Sequence, residues 1–374
     1  MRHFASRTPV ICLLIAAALG ATQATGEVTN ISGSSTATVI QFEGILPVQN
    51  DFAQSIVPLT TPEPPAVSRA RLGRLRGNDE TTAVGQVVSI FELPNLDGLG
   101  NPSDLGFNVG AFSDDDVTGW FAQGDASESR IVVFDAAEAG GNVLFGTVAS
   151  ATSRVFLSGV LVVGSFDATK DLSGVEAAFQ LELIQRRSGQ LPATLLEGEV
   201  ALTGGPAGSA VIDQASGVFG GTLLPVLEEL DDLGDLPVVR MVTFTGAQFP
   251  YEYDFTVGQP FELELRSSAR VRTTPGGVFA FAIFGLPPDE LESIFERSKT
   301  SDRGRQLQAM ITQHVDTTGQ SYVGLRPPQF LLPFCGALGV ETIGVLLAGC
   351  CLVAVRHRRR ARFPTTSEDA SLQW

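Results

Sequence analysis

FELELRSSARVR, Phe261–Arg272, carries the clearest fold signal in the chain. Phe261, Leu263, Leu265, Ala269 and Val271 fall on one side of a period of two, and Glu262, Glu264, Arg266, Arg270 and Arg272 on the other. Successive side chains of a strand point to opposite faces, so this alternation predicts an antiparallel strand with one dry and one wet face. Outward from it the rhythm recurs at Phe179, Leu181 and Leu183, and at Leu196, Val200 and Leu202. Further strands are expected at Thr36–Phe42, Gly85–Glu92, Val117–Phe121, Arg130–Asp135, Asn142–Val148, Arg154–Val163, Val238–Gly246 and Gly277–Phe284. Turn signals such as Asp213–Gly217 and Thr274–Gly277 separate them, and no βαβ rhythm appears. The expectation is an all-β fold, an antiparallel β-sandwich or jelly-roll-like region.

Two stretches depart from that pattern. Pro58–Pro65, PLTTPEPP, reads as an extended linker. Arg69, Arg71, Arg74 and Arg76 come after it and read as a solvated basic loop, the alternatives being a docking surface for an acidic envelope polymer or protein and a processing site. In Pro287–Val315, Asp289 caps an expected short helix carrying Leu291, Ile294 and Phe295, and Gly319–Pro328 is a juxtamembrane spacer.

An apolar run lies beyond the spacer. From Leu338 to Val355 the only charge is Glu341, a length suited to a helix crossing a hydrocarbon core of roughly 30 Å. Arg356, Arg358, Arg359, Arg360 and Arg362 come next and place that end in the cytoplasm. At the other terminus Arg2 and Arg7 precede the apolar run Val10–Leu19 and the small residues GATQAT, the layout of a signal peptide cut after Ala21 or Ala24. The expected organisation is therefore a signal peptide at 1–24, an N-terminal region with linker and arginine cluster at 25–84, and a β-sandwich region at 85–286. A helical segment and juxtamembrane spacer at 287–329, a transmembrane or sorting segment at 330–355 and a basic cytoplasmic tail at 356–374 complete it.

Composition narrows the chemistry. The formal net charge is −16, although many of the arginines sit in the tail. An acidic body repels nucleic acid, so no nucleic-acid partner is expected. The four cysteines are Cys12, Cys335, Cys350 and Cys351, which leaves the central region without a disulfide framework or a thiol nucleophile. Between leader and tail the one histidine is His314, which argues against a Ser-His-Asp hydrolase or a multi-histidine zinc site.

Candidate sites are few. Asp114, Asp115 and Asp116 form one acidic loop; Glu228, Glu229, Asp231, Asp232 and Asp235 form another. Both read as solvated turns, with calcium as the alternative because loop carboxylates supply the oxygen ligands it needs. Trp120 is the one tryptophan before the tail, and Tyr251 and Tyr253 lie on one strand. Such aromatics are core residues or, alternatively, a platform for sugars. No catalytic residue and no cofactor are assigned.

The segment Cys335–Arg362 resembles the C-terminal sorting tails of bacterial exported proteins, the PEP-CTERM family and its relatives, in which a short motif precedes a membrane helix and an arginine cluster. Leu332-Pro333-Phe334-Cys335-Gly336 is similar to a sortase signal, with Cys335 where threonine stands and Gly336 in place. The resemblance implies an envelope or surface protein with no catalytic residues to carry over. The function expected is structural or adhesive, the alternatives being a carbohydrate- or calcium-binding module and a carboxylate-dependent hydrolase.

Overall fold

Phe261–Thr273, β14, keeps its alternation in three dimensions: its odd-numbered residues are buried and its even-numbered ones partly or fully in water. Fully burying Phe261, Leu263, Leu265 and Val271 contributes about 1.5–3 kcal/mol each. β14 sits mid-sheet, paired along its length with β7 (Thr118–Val133) on one side and β9 (Glu176–Arg187) on the other. The computed structural model describes residues 24–25, 27–57, 66–76, 80–92, 104–135, 144–167, 169, 171–220, 226–233, 236–284, 323–325 and 329–330.

Two antiparallel sheets account for nearly all of these residues. The seven-stranded sheet runs β11 (Ala210–Gly217), β10 (Ala193–Gly204), β9, β14, β7, β2 (Glu27–Glu43) and β3 (Leu46–Val57). The ten-stranded sheet begins with the hairpin β12 (Leu227–Leu233) and β13 (Leu236–Thr256), and continues through β8 (Val148–Ser165) and β15 (Val278–Phe284). It ends on β6 (Asp104–Ser113), β5 (Glu80–Glu92) and β4 (Ala66–Arg76). Beyond β15, β16 (Val323–Leu325) fills the space between β8 and β6, and β17 (Gln329–Phe330) links β8 to β1 (Ala24–Thr25). The protein is an all-β sandwich. Among the described residues the one helical feature is a 3₁₀ turn at Pro206–Gly208, and no helix there is long and apolar enough to cross a membrane.

Aromatic rings join the two sheets. Phe179 of β9 stacks on Phe284 of β15 with ring centroids 4.0 Å apart and meets Phe107 of β6 edge-on at 6.1 Å. At another point Gly33 of β2 lies directly against the ring of Phe91; a Cβ there would stand 2.3 Å from that ring, so only glycine permits the approach. β15 is buried on both faces, as its unbroken apolar run VFAFAIF requires. Its Phe279, Phe281 and Ile283 join Val160, Val162 and Met241 in a second apolar cluster.

Several sequence expectations need correction. Val117–Phe121 and Arg130–Asp135 are parts of one strand, Thr118–Val133. In Asn142–Val148, Leu144–Thr147 is a turn closed by the Thr147 N–H donating to the Leu144 carbonyl at 3.0 Å, and β8 starts only at Val148. Asp213–Gly217 is strand, not turn, because β11 pairs with β10 through Gly217. The arginine cluster is strand β4 rather than a loop: Ser68 and Ala70 turn inward on either side of the exposed Arg69. The spacer Gly319–Pro328 contains β16, and β17 follows it at Gln329–Phe330, so the chain returns to the sandwich there. The linker 58–65, the helix expected within 287–315 and the apolar run from 331 onward lie outside the described residues.

Candidate functional site

The wet face of the seven-stranded sheet carries the largest organised set of polar side chains among the described residues. Alternation aims Glu262, Glu264, Arg266 and Arg270 of β14 outward, and the neighbouring strands supply partners at matching register. Glu264 receives Arg186 Nη2 at 2.6 Å and Arg266 Nε at 2.7 Å. Arg270 donates to Glu176 at 3.0 Å and to Glu199 at 2.8 Å, which ties together three strands. Burial alone would raise the Glu264 pKa, but the hydrogen bonds from Arg266 and Arg186 outweigh it and hold the carboxyl below its ordinary value. The same carboxylate raises the Arg186 pKa.

Toward β2 the residues become small, and the face sinks into a groove of about 280 Å³. Ser34, Thr36, Asp125 and Ser127 line one side, Gln180, Glu182 and Arg266 the other, with Ser268 between them. Direct cross-strand pairs organise it: Ser34 Oγ lies 2.9 Å from Ser127 Oγ, and Thr36 donates to Asp125 Oδ2 at 3.0 Å. Gln123 Nε2 donates to the other Asp125 oxygen at 2.8 Å. Hydroxyls, an amide, carboxylates and a guanidinium thus converge on one concavity. Such a donor set suits a polyhydroxylated or amide-rich ligand.

One strand out from the groove, β3 shows a different surface. Phe52 and Ile56 lie beside Thr38 and Ser34 in register and are 60% and 64% exposed. They border the polar groove with an apolar rim.

The residues singled out from sequence are dispersed. Trp120 is fully buried and faces Gly85 across the sheets, so it is a core residue and not a sugar platform. Tyr251 and Tyr253 are buried as well, 4% and 2% exposed. Burial pushes the Tyr251 hydroxyl up to about 12 and raises that of Tyr253 further. Asp115 organises the turn from β6 into β7: its carboxylate accepts the N–H groups of Val117 at 3.0 Å and Thr118 at 2.6 Å and the Thr118 hydroxyl at 2.9 Å. Asp114 and Asp116 flank it in water. Asp231 and Asp232 belong to edge strand β12 and not to a loop, and Asp235 lies outside the described residues. Among the described residues no three acidic, histidine or cysteine side chains gather as a metal site. Cys335, Gly336, Arg356, Arg358, Arg359, Arg360 and His314 fall outside the described residues.

One cluster is absent from the sequence expectations. Glu128 and Arg130 lie on the core face of β7, fully buried and 3% exposed, and form an ion pair through Arg130 Nε and Glu128 Oε1. Their charges reach the Tyr251 hydroxyl. Gln185, level with Arg130 and two strands away across Leu263, is buried too and donates to the Asp254 carbonyl at 2.7 Å. The signal was present in the alternation: Glu128 and Arg130 share parity with the inward Ala122 and Ala126.

No family model matches this chain, and no curated protein matches it. Among solved structures, the infectious bursal virus derived T=1 particle aligns at 12% identity over 79% of this chain and 87% of that chain, with a TM-score of 0.09. The VP2 subviral particle of infectious bursal disease virus aligns at 10% identity over 81% and 76%, with a TM-score of 0.10. Scores of that size show no shared fold, and nothing further rests on them.

Proposed function

We propose that this chain is an exported, non-enzymatic surface protein: a jelly-roll-like sandwich displayed at the cell envelope on one C-terminal membrane helix, with a structural or adhesive role. The observation that carries the reading is the pairing of β1 with β17. Ala24 stands opposite Phe330 and Thr25 opposite Gln329, so the sandwich begins and ends at one point. The signal-like segment leads into that point, and the apolar run ending in arginines leaves it. A body with adjoining ends suits display on a single tether. The pairing also favours cleavage after Ala21, which leaves β1 whole, over cleavage after Ala24, which removes half of it.

The tail's resemblance to PEP-CTERM sorting signals supports the same address, and the net charge of −16 suits a soluble displayed body. Mass spectrometry of the mature protein from fractionated cells tests the proposal. A membrane-fraction chain starting at Thr22, or one ending near Cys335 in the envelope, supports it. A full-length chain with its leader, dissolved in the cytosol, refutes it.

A second reading is favoured by the groove on the seven-stranded sheet. Its hydroxyl, amide and carboxylate lining beside the apolar rim of Phe52 and Ile56 matches the two-sided chemistry of a sugar. A glycan that binds the folded state raises the thermal midpoint, and Gln180→Ala removes that rise if the groove is the site.

A further inference from the structure

β3 is an outer edge of the seven-stranded sheet, and among the described residues its one strand neighbour is β2. Open edges offer unpaired backbone groups to other chains, and most proteins blunt them with charge, brevity or a cover. The other long-sheet edges here are blunted. β4 carries four arginines, and its Arg71 N–H is taken by Asp51 Oδ2 at 2.8 Å. β11 has eight residues, and β12 has seven with four carboxylates. β3 has twelve residues; Pro47 and a bulge at Val48 blunt its start, but from Gln49 to Val57 it is regular and its one charge, Asp51, is already engaged with β4.

The wet side of β3 is apolar at its key positions: Val48, Phe52 and Ile56 are 47%, 60% and 64% exposed. Pro47 and Gln49 pair with Phe42 and Gln41, which makes Val48 the extra residue of a bulge, so the regular stripe starts beyond it: Asn50, Phe52, Gln54, which is amide, aromatic, amide in both directions. A strand with that symmetry is complementary to itself. We infer that β3 is a homodimerisation edge, pairing antiparallel with β3 of a second copy about a two-fold axis at Phe52. Phe52 then faces its own counterpart and Asn50 faces Gln54 in amide–amide reach, with the regular pairing ending at the bulge. Asp51 falls opposite Ala53, so no like charges meet across the pair. The two seven-stranded sheets become one, and the apolar rim beside each groove leaves water. The inference goes beyond the envelope reading and stands or falls independently of where the chain resides.

Cysteine cross-linking of the purified full chain tests it, in a background with the four native cysteines replaced by alanine. Residues directly opposite in an antiparallel pair have Cα atoms about 4.5–5.5 Å apart, within disulfide range. Phe52→Cys is expected to give a covalent dimer under mild oxidation, while Ile45→Cys, 91% exposed but outside the symmetric stripe, is not. A mixture of Asn50→Cys and Gln54→Cys chains is expected to give the cross-link that neither gives alone. Absence of the Phe52→Cys dimer, or equal cross-linking of Phe52→Cys and Ile45→Cys, overturns the proposal; so does self-linking of Asn50→Cys. All four positions are exposed in the single chain, so at concentrations too low for dimerisation the reduced variants are expected to keep the thermal midpoint of the cysteine-free parent, which shows that folding is intact.

Discussion

The neighbouring strands β15 and β14 stand in different sheets and read differently on their outward sides. β15, VFAFAIF, is buried on both faces, and Phe279, Phe281 and Ile283 sit in an apolar cluster away from the inter-sheet core. β14, FELELRSSARVRT, is dry on one side and meshed with charge on the other. A sheet face that has spent its residues on apolar packing has none left to meet a polar partner. The face built of Glu264, Arg266, Arg270 and the serine-lined groove keeps that capacity, and β3 adds an open edge beside it. The proposed sugar binding and the proposed edge pairing therefore both fall on the seven-stranded sheet.

One residue type placed on both outward sides separates them most widely. Phe281→Ala is expected to cost about 3–5 kcal/mol, since Phe281 is 1% exposed, whereas Phe52→Ala, 60% exposed in the single chain, is expected to stay within about 0.5 kcal/mol at concentrations too low for dimerisation. Urea unfolding measures both, and equal costs would erase the distinction between the faces. Beneath the wet sheet, removing one member of the buried Glu128–Arg130 pair is expected to cost about 3–5 kcal/mol, because the other charge is stranded in the core. The double replacement Glu128→Leu with Arg130→Met is expected to recover most of that loss. A double variant as unstable as the single ones would show that the pair is needed for more than mutual neutralisation.

Alkaline titration reads the burial of Tyr251 and Tyr253. Both phenols have folded-state pKa values raised above the ordinary value of 10.0, that of Tyr251 to about 12. The stability held by the neutral buried phenols is thus complete below about pH 10 and is lost as the pH climbs from there toward 12 and beyond. Absorbance at the phenolate band should show Tyr251 and Tyr253 ionising only with unfolding. The smallest expected effect is at the surface lattice. Glu264→Gln is expected to cost about 0.5–1 kcal/mol, and the stability it removes in the wild type is present above about pH 4.5 and lost as pH falls through the depressed pKa. An identical acid midpoint in wild type and variant would show that the lattice is decorative.

Strands with an apolar dry face were legible, and strands without one were not. FELELRSSARVR, FQLELI and the run VFAFAIF declare themselves because packing on one or both sides imposes a period. AQGDASES, the middle of β7, hid because its outward residues are small and polar to form the groove while its inward residues include the buried Glu128 and, just beyond, Arg130. β3 hid for the opposite reason: water on both sides of Leu46–Asn50 leaves its residues free of any period. β4 looked like a basic loop because Arg69 and Arg71 alternate with inward residues, Ser68 and Ala70, too small to announce a core face. The groove itself could not be read, since it joins residues of β2, β7, β9 and β14 that only the order of strands brings together.

Labelling of living cells tests the displayed sandwich. Gln180 is exposed at the groove, so Gln180→Cys, in the background with the four native cysteines replaced by alanine, gives a single reporter thiol on the wet face. A membrane-impermeant maleimide added to intact cells is expected to label the variant as fully as it does after lysis. Labelling that appears only once the cells are broken would contradict a sandwich held on the outer side of the membrane.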